Sequence, residues 1–156
     1  MEEMHLKQYN VIVVFDHEAR HVLMCMRSKE PYKGKFNFIG GKIENGEIHL
    51  QAAYRELYEE TSITSDDIKL IHVMDFVFHI TNCSVELYVG KLNRQVKLIE
   101  EENPLFWVEL SRDFSDLNCF AGDGDIAYIM KYLDNLGLNN ILNHYICLLY
   151  TSPSPR

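Results

Sequence analysis

Positive charge is scarce in this sequence: 15 Lys and Arg stand against 23 Asp and Glu, giving a formal charge of −8 and a pI near 5.3. A surface of that sign repels polyanions, which excludes general nucleic-acid binding and attraction to anionic membranes. No apolar run reaches the ~18 residues of a membrane span, and the polar start MEEMHLKQ carries no signal pattern, so the expected setting is the cytoplasm. Cysteine is sparse and scattered. Cys25, Cys83, Cys119 and Cys147 form no C-x-x-C pair and no metal-ligand spacing, which predicts reduced, packed thiols. Seven histidines are present. His5, His17, His21, His72, His79 and His144 read as structural or surface residues, and His49 opens a helix.

What the chain does have is an ordinary single-domain composition, with 47% hydrophobic and 24% charged residues in 156. One stretch organises it: GGKIENGEIHLQAAYRELYEETSI, from Gly40 to Ile63. Glu56, Glu59 and Glu60 fall at i, i+3, i+4, the spacing that puts side chains on one helical face. Like charges so placed weaken an isolated helix, and a hard divalent cation relieves them. Oxygen-only ligands suit Mg²⁺, with Mn²⁺ as the alternative, and Mg²⁺ is held by a few carboxylates together with substrate phosphates. Leu50, Ala53, Tyr54 and Leu57 form the apolar stripe opposite, while Ala52 is a strong helix former. Arg55 can fix Glu47 through a bidentate pair, and Gly40, Gly41 and Gly46 permit a tight loop. The competing reading is a solvated acidic surface helix.

This stretch resembles the Nudix box, G-x5-E-x7-R-E-U-x-E-E-x-G-U. Gly41, Glu47, Arg55, Glu56, Leu57, Glu59, Glu60 and Ile63 match, and Ser62 stands where the family has Gly. The family glycine closes the helix in a left-handed conformation, which costs a non-glycine residue ~1 to 2 kcal/mol. The resemblance implies an α/β fold, a Nudix-type α/β/α sandwich with a mixed β-sheet between the box helix and a second helix.

The order of elements agrees. Lys7 to Phe15 and His21 to Met26 read as a hairpin of two core strands, and SKEPYKGK as a loop whose Lys29, Lys33 and Lys35 serve either plain solubility or a basic lip beside the acidic site. Phe36 to Ile39 is a short strand running into Gly40. Ile68 to Ile80 reads as a long or bent strand pairing with Ser84 to Leu92, and Leu105 to Leu110 is the last strand. A helix follows from about Ile126 to Leu136, with Ile126, Ile129, Met130 and Leu133 at period 3.6. Asp123 or Asp125 is placed to cap it. The last residues, CLLYTSPSPR, resemble the translation of a sequencing adapter. One domain is therefore expected over residues 1–146, with 147–156 a non-native or disordered tail.

From the resemblance follow the expected roles. Glu56, Glu59 and Glu60, with the Gly40 carbonyl, hold the metal, while Arg55 and Glu47 fix the cluster. Glu56 is the first candidate for general base, and Glu100 to Glu102 are rivals, with Glu101 ahead on its spacing to Trp107. In the purine-triphosphate branch, similar to MutT, Asn37 and Asp123 read the base edge and Phe38 or Phe120 stacks on the ring. Lys35 and Lys42 complete the candidate substrate contacts. The expected reaction is metal-dependent hydrolysis of a (d)NTP, such as the oxidised purine 8-oxo-dGTP, to NMP and pyrophosphate. The alternatives are an X-linked nucleoside diphosphatase, such as one for nucleotide sugars, and a non-catalytic nucleotide sensor. Expected partners are a small nucleotide and neither nucleic acid nor membrane, with the chain a monomer or homodimer.

Overall fold

Branched apolar residues dominate the two longest strands, and both are covered on either face. In a computed structural model, which describes residues 6–143, β1 (Lys7–Phe15) and β5 (Cys83–Lys91) run parallel side by side, with Asn10 opposite Glu86 and Val14 opposite Gly90. The other strands are β2 (His21–Met26), β3 (Phe36–Asn37), β4 (Ile71–Phe78) and β6 (Leu105–Glu109). Their order is β3-β2-β1-β5-β4, with β6 pairing β2. Among the described strands β1 and β5 pair in parallel and the other pairs are antiparallel, so the sheet is mixed.

Strand periodicity sorts the core into two halves. Val13, Phe15, Leu87 and Val89 point to one face, where α2 (Asp125–Leu136) lays down Ile126, Ile129 and Leu133. Ile12, Val14 and Tyr88 point to the other, against Ala53 and Leu57 of α1 (His49–Thr61). Each fully buried leucine or isoleucine contributes about 1.5 to 3 kcal/mol over its exposed state. The α/β/α sandwich is as expected.

Three local expectations need correction. β1 and β2 touch in register only at Phe15 and Val22, because the remaining backbone groups of β1 that do not pair with β5 meet the loop after β3, with the Asn10 and Ile12 N–H groups on the Gly41 and Ile39 carbonyls, and β2 pairs β3 and β6. The expected hairpin is therefore splayed. Leu50 is 43% exposed, whereas Ala52 is fully buried with Ala53 and Leu57. The helix thus rolls so that small residues meet the sheet. Neither Asp123 nor Asp125 caps α2 by its side chain; Gly124 holds the cap position at φ 107°. Asp125 instead lies in the first turn, where a negative charge favours the helix dipole. Cys25, Cys83 and Cys119 are free, as expected. The expected domain end near Ile146, the tail 147–156, His5, His144 and Cys147 lie outside the described residues.

Candidate active site

Two glycines bring the loop after β3 under the C-terminal half of α1. Gly40 has φ 154°, and a Cβ there would stand 2.1 Å from the Asn10 carbonyl oxygen. A Cβ on Gly41 would stand 2.4 Å from the Glu56 carboxyl carbon. The missing side chain is thus the space that Glu56 occupies. The loop is pinned by Asn10, whose Oδ1 accepts the Gly41 N–H at 2.9 Å, and the Gly40 N–H donates to Glu60 Oε2 at 3.3 Å.

Arg55 organises the acidic face. Its Nε and Nη2 donate to the two Glu47 oxygens at 2.6 and 2.9 Å, the bidentate pair the spacing suggested. Nη1 reaches Glu56 at 2.9 Å and Glu59 at 3.2 Å, and Nη2 also donates to the Lys42 carbonyl at 3.1 Å. The guanidinium holds the Glu47 carboxyl down at about 2, helped by the Glu44 N–H. Burial raises the Glu56 carboxyl in spite of Arg55. Glu60 is pushed up to about 7, first by burial and then by Glu56, Glu102 and Glu59, against the Gly40 N–H. The three carboxylates share one face but do not converge to a point. Arg55 draws Glu56 and Glu59 to itself, while Glu60 turns to Gly40. Among the described residues, the His, Cys, Asp and Glu ligand atoms gathered within 4.8 Å of one another belong to His72, Asp75 and Glu86, elsewhere on the sheet.

The donor set nonetheless fits a hard cation. Three carboxylates and a glycine carbonyl offer oxygen alone, and carboxyls raised by burial and mutual repulsion are stabilised by a divalent charge. Of the acidic run before β6, Glu102 is the member whose charge is felt at Glu60. Glu100 turns away to accept the Leu105 N–H at 3.2 Å, and Glu101 is exposed. Glu102 is exposed as well and acts on Glu60 as a nearby charge, which sequence spacing could not single out among three consecutive glutamates.

The residues expected to meet the base are less open. Phe38 and Phe120 are only 5% and 1% exposed and belong to the α2-side core, which corrects the expectation that either ring offers a free face. Phe120 packs at 5.1 Å on Phe114 and at 5.8 Å on the half-buried Phe36, whose edge meets Phe106 at 5.4 Å. Asn37 is half-buried and its Oδ1 accepts the Phe38 N–H. Asp123 is exposed and accepts a 2.5 Å hydrogen bond from the Tyr32 hydroxyl. Tyr32 went unnoticed in the sequence, since nothing local ties it to a residue 91 positions away. Lys35 lies near the Tyr32 ring, 5.9 Å from its centroid, and Lys42 is exposed beside the box loop.

The family model described as NUDIX domain matches residues 6–110. The chain is 42% identical over 57 residues to the oxidized purine nucleoside triphosphate hydrolase of Danio rerio, covering 36% of each protein. It is 33% identical over 81 residues to the 8-oxo-dGTP diphosphatase of Escherichia coli K12, covering 49% of this chain and 63% of that protein. It thus spans less than two thirds of the length of either relative. Among solved structures, a C. elegans Ap4A hydrolase binary complex is similar at TM-score 0.62 and 22% identity, covering 81% of this chain and 93% of that one. That likeness concerns the fold.

Proposed function

Since this chain belongs to the NUDIX domain family, we propose that it hydrolyses a nucleoside diphosphate linked to a further group, with a purine (d)NTP as the substrate and NMP and pyrophosphate as products. The observation that carries the reading is the Arg55 clamp, which ties Glu47, Glu56 and Glu59 together beside a glycine loop shaped around the Glu56 carboxylate. A merely solvated acidic helix has no need of that loop. The names of the two relatives, an oxidised-purine triphosphate hydrolase and an 8-oxo-dGTP diphosphatase, support a purine triphosphate as the first substrate to test.

Glu56, Glu59, Glu60 and the Gly40 carbonyl are the residues that would hold Mg²⁺ or Mn²⁺. When bound, the ion neutralises phosphoryl charge and acidifies water. The chain's own groups do the rest. Arg55 and Glu47 fix the orientation of the carboxylates from behind, as outer-shell partners do. Glu56, half-buried and with a raised carboxyl, is the first candidate to take the proton from the attacking water, and Glu102 is its rival from the loop before β6. Lys35 and Lys42 stand ready for phosphate oxygens, and Asn37 and Asp123 for the base edge.

The test is product analysis with Mg²⁺ over dNTPs, 8-oxo-dGTP, ADP-ribose and nucleotide sugars. Pyrophosphate release from purine triphosphates, with 8-oxo-dGTP preferred, supports the reading. Turnover confined to ADP-ribose or nucleotide sugars moves the assignment to another X-linked diphosphate, and nucleotide binding without any turnover moves it to a sensor.

A further inference from the structure

Beyond the box, the α1-side face of the sheet carries a second polar cluster in which histidine takes part. Residues three apart on a regular strand point to opposite faces, yet His72 and Asp75 of β4 meet, with Nε2 and Oδ1 2.5 Å apart. The register shift between His72 and Met74 accounts for this: it inserts one extra residue and turns both side chains to the same side. Across the strand pair, His72 stands opposite Tyr88 and Asp75 opposite Glu86. The His72 ring stacks on Tyr88 at 4.9 Å. One ligand atom each from His72, Asp75 and Glu86 lies within 4.8 Å of the others.

Glu86 is the buried member, its side chain 8% exposed. One oxygen accepts the Tyr88 hydroxyl at 2.7 Å, and the other is 2.5 Å from His49 Nδ1 at the first turn of α1. On the neighbouring strand, Asn10 is the register partner of Glu86 and points to the same face. Asn10 is 2% exposed, and its Nδ2 is a buried donor without a partner among the described residues. A buried unsatisfied amide is costly and calls for an acceptor such as a bound water or a ligand's oxygen. The box carboxylates are a separate group: Glu56 lies seven residues beyond His49, about 10 Å along the helix axis.

We propose that His72, Asp75 and Glu86 form a second divalent-cation site, distinct from the box glutamates and suited to zinc rather than magnesium. The choice of ion follows from the donors. An imidazole nitrogen with two carboxylates suits Zn²⁺, and three protein ligands leave one tetrahedral position for water, whereas Mg²⁺ favours oxygen alone. Two of the ligands come from β4 and one from β5, and His49 ties the Glu86 end to α1, so occupancy joins the edge hairpin to the box helix.

The experiment is zinc titration by calorimetry of the full chain in excess Mg²⁺, paired with anomalous diffraction from zinc-soaked crystals, for the wild type, Asp75→Ala and His72→Gln. Asp75 and His72 are half exposed, so both variants are expected to fold, and circular dichroism checks this. The wild type is expected to take up one zinc in the presence of Mg²⁺, with an anomalous peak between His72, Asp75 and Glu86. Each variant should weaken that binding roughly tenfold or more while leaving pyrophosphate release in Mg²⁺ unchanged. Zinc found at the box alone, or titrations that neither substitution alters, would overturn the proposal. So would a crystal peak without measurable solution binding, an adventitious ion only. Failure of the nucleotide reading would appear separately, as absent pyrophosphate release with zinc binding intact.

Discussion

Arg55 grips both oxygens of Glu47, eight residues earlier, through Nε at 2.6 Å and Nη2 at 2.9 Å, and its remaining nitrogen spans Glu56 and Glu59. A planar fork makes all of these contacts at once, and an ammonium cannot. Arg55→Lys is therefore expected to lower kcat by roughly 10- to 100-fold, in keeping with loss of an outer-shell partner, and to raise the Mg²⁺ concentration needed for half-maximal rate. Steady-state kinetics across a Mg²⁺ series reads both, and a variant with wild-type kinetics would remove Arg55 from the account.

The raised Glu60 carboxyl makes metal-free stability depend on pH. Its value goes from an ordinary 4.5 to about 7 on folding. Between those values the folded chain binds more protons than the unfolded one, so this group's contribution to stability falls as pH rises through that window. Melting in EDTA from about pH 5 to about pH 8 should show a declining Tm that Glu60→Gln flattens. Excess Mg²⁺ should also reduce the slope, because a cation selects the deprotonated carboxylate. A steeper decline in Glu60→Gln would contradict the assignment.

Ser62 closes α1 in the left-handed region, φ 64° and ψ 13°, with its N–H on the Tyr58 carbonyl. A serine there carries steric strain that glycine lacks. Ser62→Gly is expected to raise stability by about 1 kcal/mol, read as a shift of the urea midpoint without a change in slope. A lower midpoint would mean that the flexibility glycine gives the unfolded chain outweighs the strain relieved.

Tyr32 occupies Oδ2, one of the two oxygens that Asp123 would offer to a base. Tyr32→Phe frees it, and KM for purine triphosphates is expected to fall by ~3- to 10-fold, the worth of one net hydrogen bond, with kcat unchanged. A raised KM would instead make Tyr32 part of the binding surface.

The fold was legible through the resemblance of the box to a known family, with which the branched apolar runs of β1 and β5 and the period of 3.6 in α2 agree, while the Arg55–Glu47 pair followed from fixed offsets within the box. The left-handed Ser62 followed from the resemblance, because the family has glycine at that position. What spacing could not reveal depended on long-range packing. Which strand β1 would embrace, which glutamate of three makes its charge felt at Glu60, and that Phe38 and Phe120 are core residues are decided by chain direction and burial. His72 is exposed, as its reading as a surface residue had it, but the bulge that turns it toward Asp75 and Glu86 leaves no mark in the pattern of residue types.

The central claim is that the box carboxylates carry Mg²⁺-dependent cleavage of a nucleoside triphosphate. Its most direct test is the rate of pyrophosphate release from a purine dNTP in Mg²⁺ by the wild type and by Glu59→Gln. Glu59 is 56% exposed, so the substitution should leave the fold intact, as circular dichroism can verify. The account predicts turnover by the wild type and a loss of roughly 100-fold or more in the variant, a few kcal/mol of transition-state stabilisation. Equal rates for the two proteins would contradict it.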